Sequence, residues 1–319
     1  MKITNNHNVP LALAVGLISD YYDYVSEDNY ISATGLLRPT RSIVLGMRGV
    51  KPTEMDIIDK HHTFMGNAVH NALEHAWLNE DVRNKALDLL GYTEDVKRLI
   101  EINPIEPTEG RIQIYVEPKR RIKELAGFNI GGKPDLILDG LLHDYKTASV
   151  FKFIKGDFED WRLQGSIYRW LYSDLIKEDH IKMCLIFKDW AKAKAEKDPE
   201  YPQSPELAVD LDLLSIEDTK KFIRNKLSDI KRNIDLSQTE MIECTDEELW
   251  VDPPKYAYFA NAAKTDGRST RNFDSQAEAD AYHLKQGKGV VIERLATPKR
   301  CNYCDAFDIC EQRMKYIED

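Results

Sequence analysis

The stretch Gly131-Gly-Lys-Pro-Asp-Leu-Ile-Leu-Asp-Gly-Leu-Leu-His-Asp-Tyr-Lys-Thr147 constrains this chain more than any other. Asp139-Gly140 is a strong two-residue hairpin signal, with Leu136, Ile137 and Leu138 on one side and Leu141 and Leu142 on the other. If those two residues form the loop, Leu138 faces Leu141, Ile137 faces Leu142 and Asp135 faces Asp144. Facing residues on an antiparallel pair have Cβ atoms roughly 4.5–5.5 Å apart. Two carboxylates at that separation repel, which invites a shared proton or a bound cation. Lys146, two residues beyond Asp144, falls on the same face. A carboxylate pair flanked by a lysine fits a metal-dependent hydrolase.

The 319 residues have room for one large core or two smaller ones. With 42% hydrophobic and 31% charged residues the chain reads as globular and not disordered. No apolar run approaches the roughly 18–20 residues of a membrane span. Leu11–Ile18 is apolar, but it is short and lacks a basic leader and a cleavage site, so it reads as a helix and not as a signal peptide. The expected compartment is the cytoplasm, bacterial or phage-infected, with no membrane association. A formal charge of −10 argues weakly against bulk nucleic-acid binding. The local field decides that question, and Lys119–Lys123, Lys188–Lys197, Lys220–Arg232 and Lys285–Arg300 are locally basic.

Spacing predicts a helix from about Leu11 to Tyr24 and another over His61–Leu78, where Met65, Val69, Leu73 and Ala76 or Trp77 form one stripe. Gly66, His70 and Glu74 form the neighbouring stripe. Glycine inside a helix costs about 1 kcal/mol against alanine, so Gly66 is expected to mark a close backbone approach. Residues 80–109 read as helix and loop, and Ile112–Glu117 alternates as a strand. Glu117 ends that strand near the carboxylate pair, although an exposed strand-end carboxylate is the plainer reading. A helix is predicted over Glu159–Lys177, with Trp161, Gln164, Tyr168, Leu171 and Leu175 on one stripe. A strand at Ile181–Phe187 and an amphipathic helix at Ser215–Ile234 follow. The order of elements implies an α/β or α+β core.

Cys184 reads as a small buried hydrophobe in its strand. Cys244, Cys301, Cys304 and Cys310 lie in a C-terminal region of different character, and the last three form Cys-x2-Cys-x5-Cys. Clustered cysteines in a cytoplasmic chain point to metal and not to disulfides. Four thiolates suit structural zinc or an iron–sulfur cluster. The isolation of Cys244 departs from the paired spacing of familiar zinc sites and favours a 4Fe-4S cluster, with Zn²⁺ as the alternative.

Gly66-x3-His70, Pro134-Asp135, Asp144-x-Lys146 and Gln164-x3-Tyr168, in that order, resemble the motifs of the RecB-type branch of the PD-(D/E)xK nucleases. The terminal cysteines resemble the iron–sulfur segment of CRISPR adaptation nucleases and AddB-type nucleases in that branch. The resemblance covers roughly residues 60–175 and the C-terminal cluster. It implies a restriction-endonuclease-like core, a central mixed sheet flanked by helices, with a nuclease domain and N-terminal helical region at 1–240 and a cysteine-cluster subdomain at 241–319. It also implies Mg²⁺ or Mn²⁺ held by His70, Asp135, Asp144 and the Tyr145 carbonyl. Lys146 would act on the attacking water and phosphate, and Gln164 and Tyr168 would line the DNA path. The implied activity is DNA hydrolysis, as an exonuclease in recombination, repair or phage DNA metabolism. A helicase or recombinase is an expected partner, and a homo-oligomer is compatible with the activity. The chain departs from the pattern at Ser32-Ala-Thr, where the cluster-bearing relatives place a first cysteine, so Cys244 is expected as the fourth ligand. Two other classes stay open: a non-catalytic DNA-binding or scaffold module, which intact Asp135, Asp144 and Lys146 argue against, and a redox-sensing cluster protein.

Overall fold

A computed structural model describes residues 1–20, 23–49 and 53–316. The chain divides into two compact units, one formed by Lys2–Arg38 with Glu54–Ser228 and the other by Met1, Pro39–Thr53 and Asp229–Asp319. The first is built on a six-stranded mixed sheet in the order Glu206–Asp212, His180–Phe187, Leu141–Ala148, Leu136–Leu138, Ile112–Val116, Ile100–Ile102. Leu141–Ala148 runs parallel to His180–Phe187 and antiparallel to Leu136–Leu138, so the Asp139-Gly140 hairpin lies at the centre of the sheet. Helices pack on the sheet, and the class is mixed α/β.

The hairpin forms as its turn chemistry dictates. Asp139 and Gly140 both take positive φ, +48° and +87°, as a type I′ turn requires. The pairs Leu138–Leu141, Ile137–Leu142 and Leu136–His143 fix the register. Next to it, Ile181, Met183, Leu185 and Phe187 alternate inward along their strand and bury one face. Ile114, Val116 and Leu136 form a core cluster that Trp77 and Tyr145 cover in part.

The helix Glu159–Leu171 lies across this sheet and buries Gln164 through Tyr168. A Cβ on Gly165 would sit 2.9 Å from both Ile181 Cδ1 and Leu213 Cδ2, so a glycine is required for that approach. The helix stops six residues short of the predicted end at Lys177. Tyr172 leaves the helical region at φ −113°, ψ 38°. Its hydroxyl lies 2.9 Å from the Gly132 carbonyl and 3.0 Å from that of Lys119, and accepts the Arg121 N–H. The Lys177 N–H then donates to the Gly140 carbonyl at the hairpin turn. Tertiary hydrogen bonds override the helical period here.

Other boundaries differ in the same way. The N-terminal helix spans Leu11–Ile18, with Ser19 extended at its end; Tyr21 and Tyr22 lie outside the described residues. The basic stretch after Lys119 contains a strand, Arg121–Leu125, paired with Phe128–Gly132 around an Ala126-Gly127 turn of positive φ. An additional helix, Val150–Lys155, follows the Asp144 strand directly.

In the second unit the helix Thr40–Met47 joins the C-terminal part of the chain. That part holds a three-stranded sheet, in the order Arg271–Phe273, Lys255–Phe259, Val290–Arg294, with the helix Gln276–Gln286. It ends in 3₁₀ turns that carry Cys301, Cys304 and Cys310 or flank them. Among the described residues no helix is long and apolar enough to cross a membrane.

Candidate metal-dependent active site

Four elements of the first unit converge on the predicted residues. The helix His61–Leu78 brings His70, the end of the Ile112–Val116 strand brings Glu117, and the two arms of the hairpin bring Asp135 and Asp144 with Lys146. His70 Nδ1 lies 3.4 Å from Asp135 Oδ1. The other oxygen of Asp135 accepts the Tyr145 N–H at 2.7 Å, a backbone bond across the hairpin that fixes the carboxylate. The Asp135 hydrogen bond raises the His70 pKa above its ordinary value, with burial acting against it.

Glu117 belongs to this group. Ligand atoms of His70, Glu117 and Asp135 all lie within 4.8 Å of one another, an arrangement able to hold a cation. Its backbone takes φ +44°, in the left-handed region that non-glycine residues seldom adopt. Its N–H donates to the Asp135 carbonyl at 2.9 Å, and its carboxylate pairs with Lys133. Burial raises the Glu117 pKa, and Lys133 partly offsets that rise. The strand-end residue expected to be solvent-exposed is thus a component of the site. The signal was in the register: Val116 pairs with Leu136, so Glu117 comes next to Asp135.

Asp144 sits apart from that group, on the side of the Gln164 helix. Of the residues expected to hold a cation, His70 and Asp135 gather with Glu117, and Asp144 is not part of that group of three. Asp144 is 2% exposed. Its Oδ1 lies 3.5 Å from Gln164 Nε2, and its Oδ2 lies 2.6 Å from Lys146 Nζ but without hydrogen-bond geometry. Gln164 Nε2 also donates to the Tyr168 hydroxyl at 3.0 Å. Gln164 and Tyr168 are both buried, and Gln164 bridges the Tyr168 hydroxyl to Asp144. Burial first of all pushes the Asp144 carboxyl up, to about 6, against the opposing Lys146 ammonium and with Asp135 adding to the rise. Burial pulls the Lys146 ammonium down, but Asp144 and Asp135 outweigh it and its pKa is raised. Burial also carries the Tyr168 phenol well above its ordinary value, so it remains a neutral hydroxyl. Gly66 does not mark a tight approach: a Cβ there would meet Thr147 Oγ1 at 3.9 Å, an ordinary contact.

One consequence can be measured without metal. Asp144 titrates higher in the folded chain than in the unfolded one, so its contribution to stability is complete below about pH 4 and is lost as pH rises through about 6. An Asp144→Asn variant lacks that titration. In chelator-treated protein, urea denaturation should show the wild type losing up to roughly 3 kcal/mol relative to the variant between pH 4 and pH 7. A difference that stays constant over that range would contradict the raised carboxyl.

Cys244, Cys301, Cys304 and Cys310 lie wholly within the other unit, and among the described residues no three of them bring their sulfurs within 4.8 Å of one another. Its cysteines are free thiols and half-buried. Burial pushes Cys244 up to about 12, with Glu248 and then Cys310 and Cys304 adding to it. Burial also raises Cys301, followed by Cys304 and Cys310. Cys244 is tied to the C-terminal turns by Gln312, which accepts its N–H at 2.8 Å and donates to its carbonyl at 2.7 Å. Ser42 Oγ lies 3.6 Å from Cys304 Sγ. Arg41, which no motif flagged, is 2% exposed, and its Nε donates to Cys310 Sγ at 3.3 Å. Its other donors go to the Gln238 carbonyl at 3.0 Å and Gln238 Oε1 at 3.1 Å. Cys184 is half-buried in its strand, opposite Tyr145, outside this cluster.

No protein-family model and no curated protein matches the chain. Among solved structures, one described as "Crystal structure of SSO0001" is similar at a TM-score of 0.41 and 14% identity, over 68% of this chain and 84% of that one.

Proposed function

We propose that this chain is a divalent-metal-dependent deoxyribonuclease with a restriction-endonuclease-like core, acting as an exonuclease on DNA ends or single strands in recombination, repair or phage DNA metabolism. The observation that carries the reading is the buried Asp144, held between Lys146 and Gln164, one strand away from the His70–Glu117–Asp135 group. The donor set is one imidazole with hard carboxylate oxygens, and Asp144 Oδ2 is buried against the Lys146 ammonium. Such a set suits Mg²⁺ or Mn²⁺, the nitrogen favouring Mn²⁺. When bound, the cation would supply Lewis-acid charge and ease deprotonation of the attacking water.

The chain's own groups have separable roles. Asp135 fixes the His70 ring, and the Tyr145 N–H fixes Asp135. Lys146, about a quarter exposed, keeps its proton beside Asp144 and can place positive charge against a phosphate oxygen. Gln164 and Tyr168 orient Asp144 from behind. Cys244, Cys301, Cys304 and Cys310 would supply four thiolates to a 4Fe-4S cluster or Zn²⁺ once their sulfurs draw together, with the buried Arg41 cation facing Cys310. Their role is structural, and the protein acts in the cytoplasm on DNA, alone, as a homo-oligomer or with a helicase or recombinase.

The test is direct. Protein incubated with Mn²⁺ or Mg²⁺ and end-labelled single- and double-stranded DNA should shorten the labelled strand, and EDTA should stop it. Failure to hydrolyse either substrate with either metal overturns the reading.

A further inference from the structure

Residues 253–300 invert the charge of the chain around them. They hold nine lysines and arginines against five acidic residues, in a protein of net charge −10. The fold then gathers the cations. The loop between the strands Lys255–Phe259 and Arg271–Phe273 carries Lys264 and Arg268, and the turn between the helix Gln276–Gln286 and the strand Val290–Arg294 carries Lys288, with Lys285 in the last turn of that helix. Phe259 pairs with Val290, and Tyr258 pairs with both Arg271 and Val291. The loop and the turn therefore emerge at the same end of the three-stranded sheet. Arg271 joins them there, stacked on Phe273 and Tyr282 at 5.0 Å each.

This end is held in place from below. The hydroxyl of Tyr258, 1% exposed, donates to the Lys288 carbonyl at 2.9 Å. His283 Nε2 lies 3.1 Å from the Gly289 carbonyl. Gly289 has φ +86°, and a Cβ on it would lie 2.3 Å from the Phe259 carbonyl oxygen, so the turn has one conformation that only glycine fits. On the loop side, the Thr270 N–H donates to the Tyr258 carbonyl at 2.9 Å and Thr270 Oγ1 accepts the Ala260 N–H at 3.1 Å. Lys264, Arg268, Lys285 and Lys288 are all exposed, and among the described residues none forms an ion pair. Of the five acidic residues, Asp266 alone lies in this loop; Asp274 pairs with Lys255 at the opposite end of the sheet. Exposed cations on a braced end, outnumbering the single carboxylate of the loop, leave a local positive field for a polyanion to neutralise.

We propose that Lys264, Arg268, Arg271, Lys285 and Lys288 form a phosphate-backbone contact for DNA, separate from the hydrolytic residues. This rests on DNA being the substrate, and the experiment distinguishes failure of the one from failure of the other. Binding of a fluorescein-labelled oligonucleotide to the full-length protein is followed by anisotropy in EDTA over a salt series, with cleavage in Mn²⁺ measured in parallel. The variant Lys264→Gln/Arg268→Gln/Lys285→Gln/Lys288→Gln removes four exposed charges. Lys220→Gln/Lys221→Gln/Arg224→Gln/Lys231→Gln makes the same change in net charge on the helix Ile216–Asn233. Each phosphate contact contributes roughly 0.7–0.9 to the slope of log K against log salt. The first variant should flatten that slope by about 3 and weaken binding at low salt by 10-fold or more, while the second stays close to wild type. Wild-type affinity and slope in the first variant, or equal losses in both variants, overturn the proposal even if the wild type cleaves DNA. If the wild type neither binds nor cleaves DNA, the nuclease reading falls and this proposal with it. The single changes Arg268→Gln and Lys288→Gln guard against misfolding, and each should lower the slope by close to one.

Discussion

Replacing Lys146 by alanine is expected to lower the rate of DNA hydrolysis by about 10²–10³-fold, the usual loss when one electrostatic donor is removed from a transition state. Affinity for DNA, measured in EDTA, should change little. The same substitution should be costly to the metal-free fold, because it leaves the Asp144 carboxylate buried with only the long Gln164 contact. Loss of one partner of a buried pair typically costs about 3–5 kcal/mol. The double variant Asp144→Asn/Lys146→Ala should therefore be more stable than the sum of the two single changes predicts, with a coupling of roughly 1–3 kcal/mol in a urea-based cycle. Saturating Mn²⁺ should reduce the penalty of Lys146→Ala, since a cation near Asp144 replaces the missing charge. Activity near wild type in Lys146→Ala would remove Lys146 from the mechanism, and additive stabilities would remove the ion pair from the account of the site.

Arg41→Met should divide the metal-loaded from the metal-free protein. Arg41 is buried in the second unit, and among the described residues no carboxylate pairs with it. A buried guanidinium without a countercharge is unfavourable, and in the absence of metal burial keeps Cys244 and Cys301 as neutral thiols. Four metal-bound thiolates reverse that balance, and the Nε donor to Cys310 becomes a charge-assisted bond. Outer partners of metal ligands typically contribute 10–100-fold in affinity. Arg41→Met should accordingly retain iron or zinc 10–100-fold less tightly in a chelator competition, and Arg41→Lys should lie between the two. In metal-free protein the methionine variant should be no less stable than wild type. A loss of stability of the same size with and without metal would mean that Arg41 only fills space.

The sequence made the centre of the fold legible and left its periphery obscure, for physical reasons that differ by element. Asp139-Gly140 has one favourable hairpin conformation, so the register of Leu136–Leu138 against Leu141–His143 followed from two residues. The His61–Leu78 helix was readable end to end because its period is uninterrupted and its boundaries coincide with it. The end of the Gln164 helix was not readable, since the Tyr172 hydroxyl bonds to residues 40 and 53 positions away. The place of Glu117 in the site is not legible in the sequence, because its inward direction depends on a positive φ that no local signal announces for a glutamate before proline. Arg41 lies 269 positions from the cysteine it reaches, and only the fold brings the two together. The burial of Gln164 and Tyr168 shows a different limit. A helical stripe gives the face that packs, but not whether its polar members meet a ligand or a neighbouring carboxylate.

A divalent cation is proposed to sit between the arms of the hairpin and the His70 helix. Anomalous diffraction from crystals soaked in Mn²⁺ tests it most directly. The account predicts a peak within about 2.5 Å of a His70 ring nitrogen and an Asp135 oxygen, with Glu117 or a reoriented Asp144 completing the set. Fully ordered side chains with no anomalous density at that position, in Mn²⁺ well above millimolar, would contradict it.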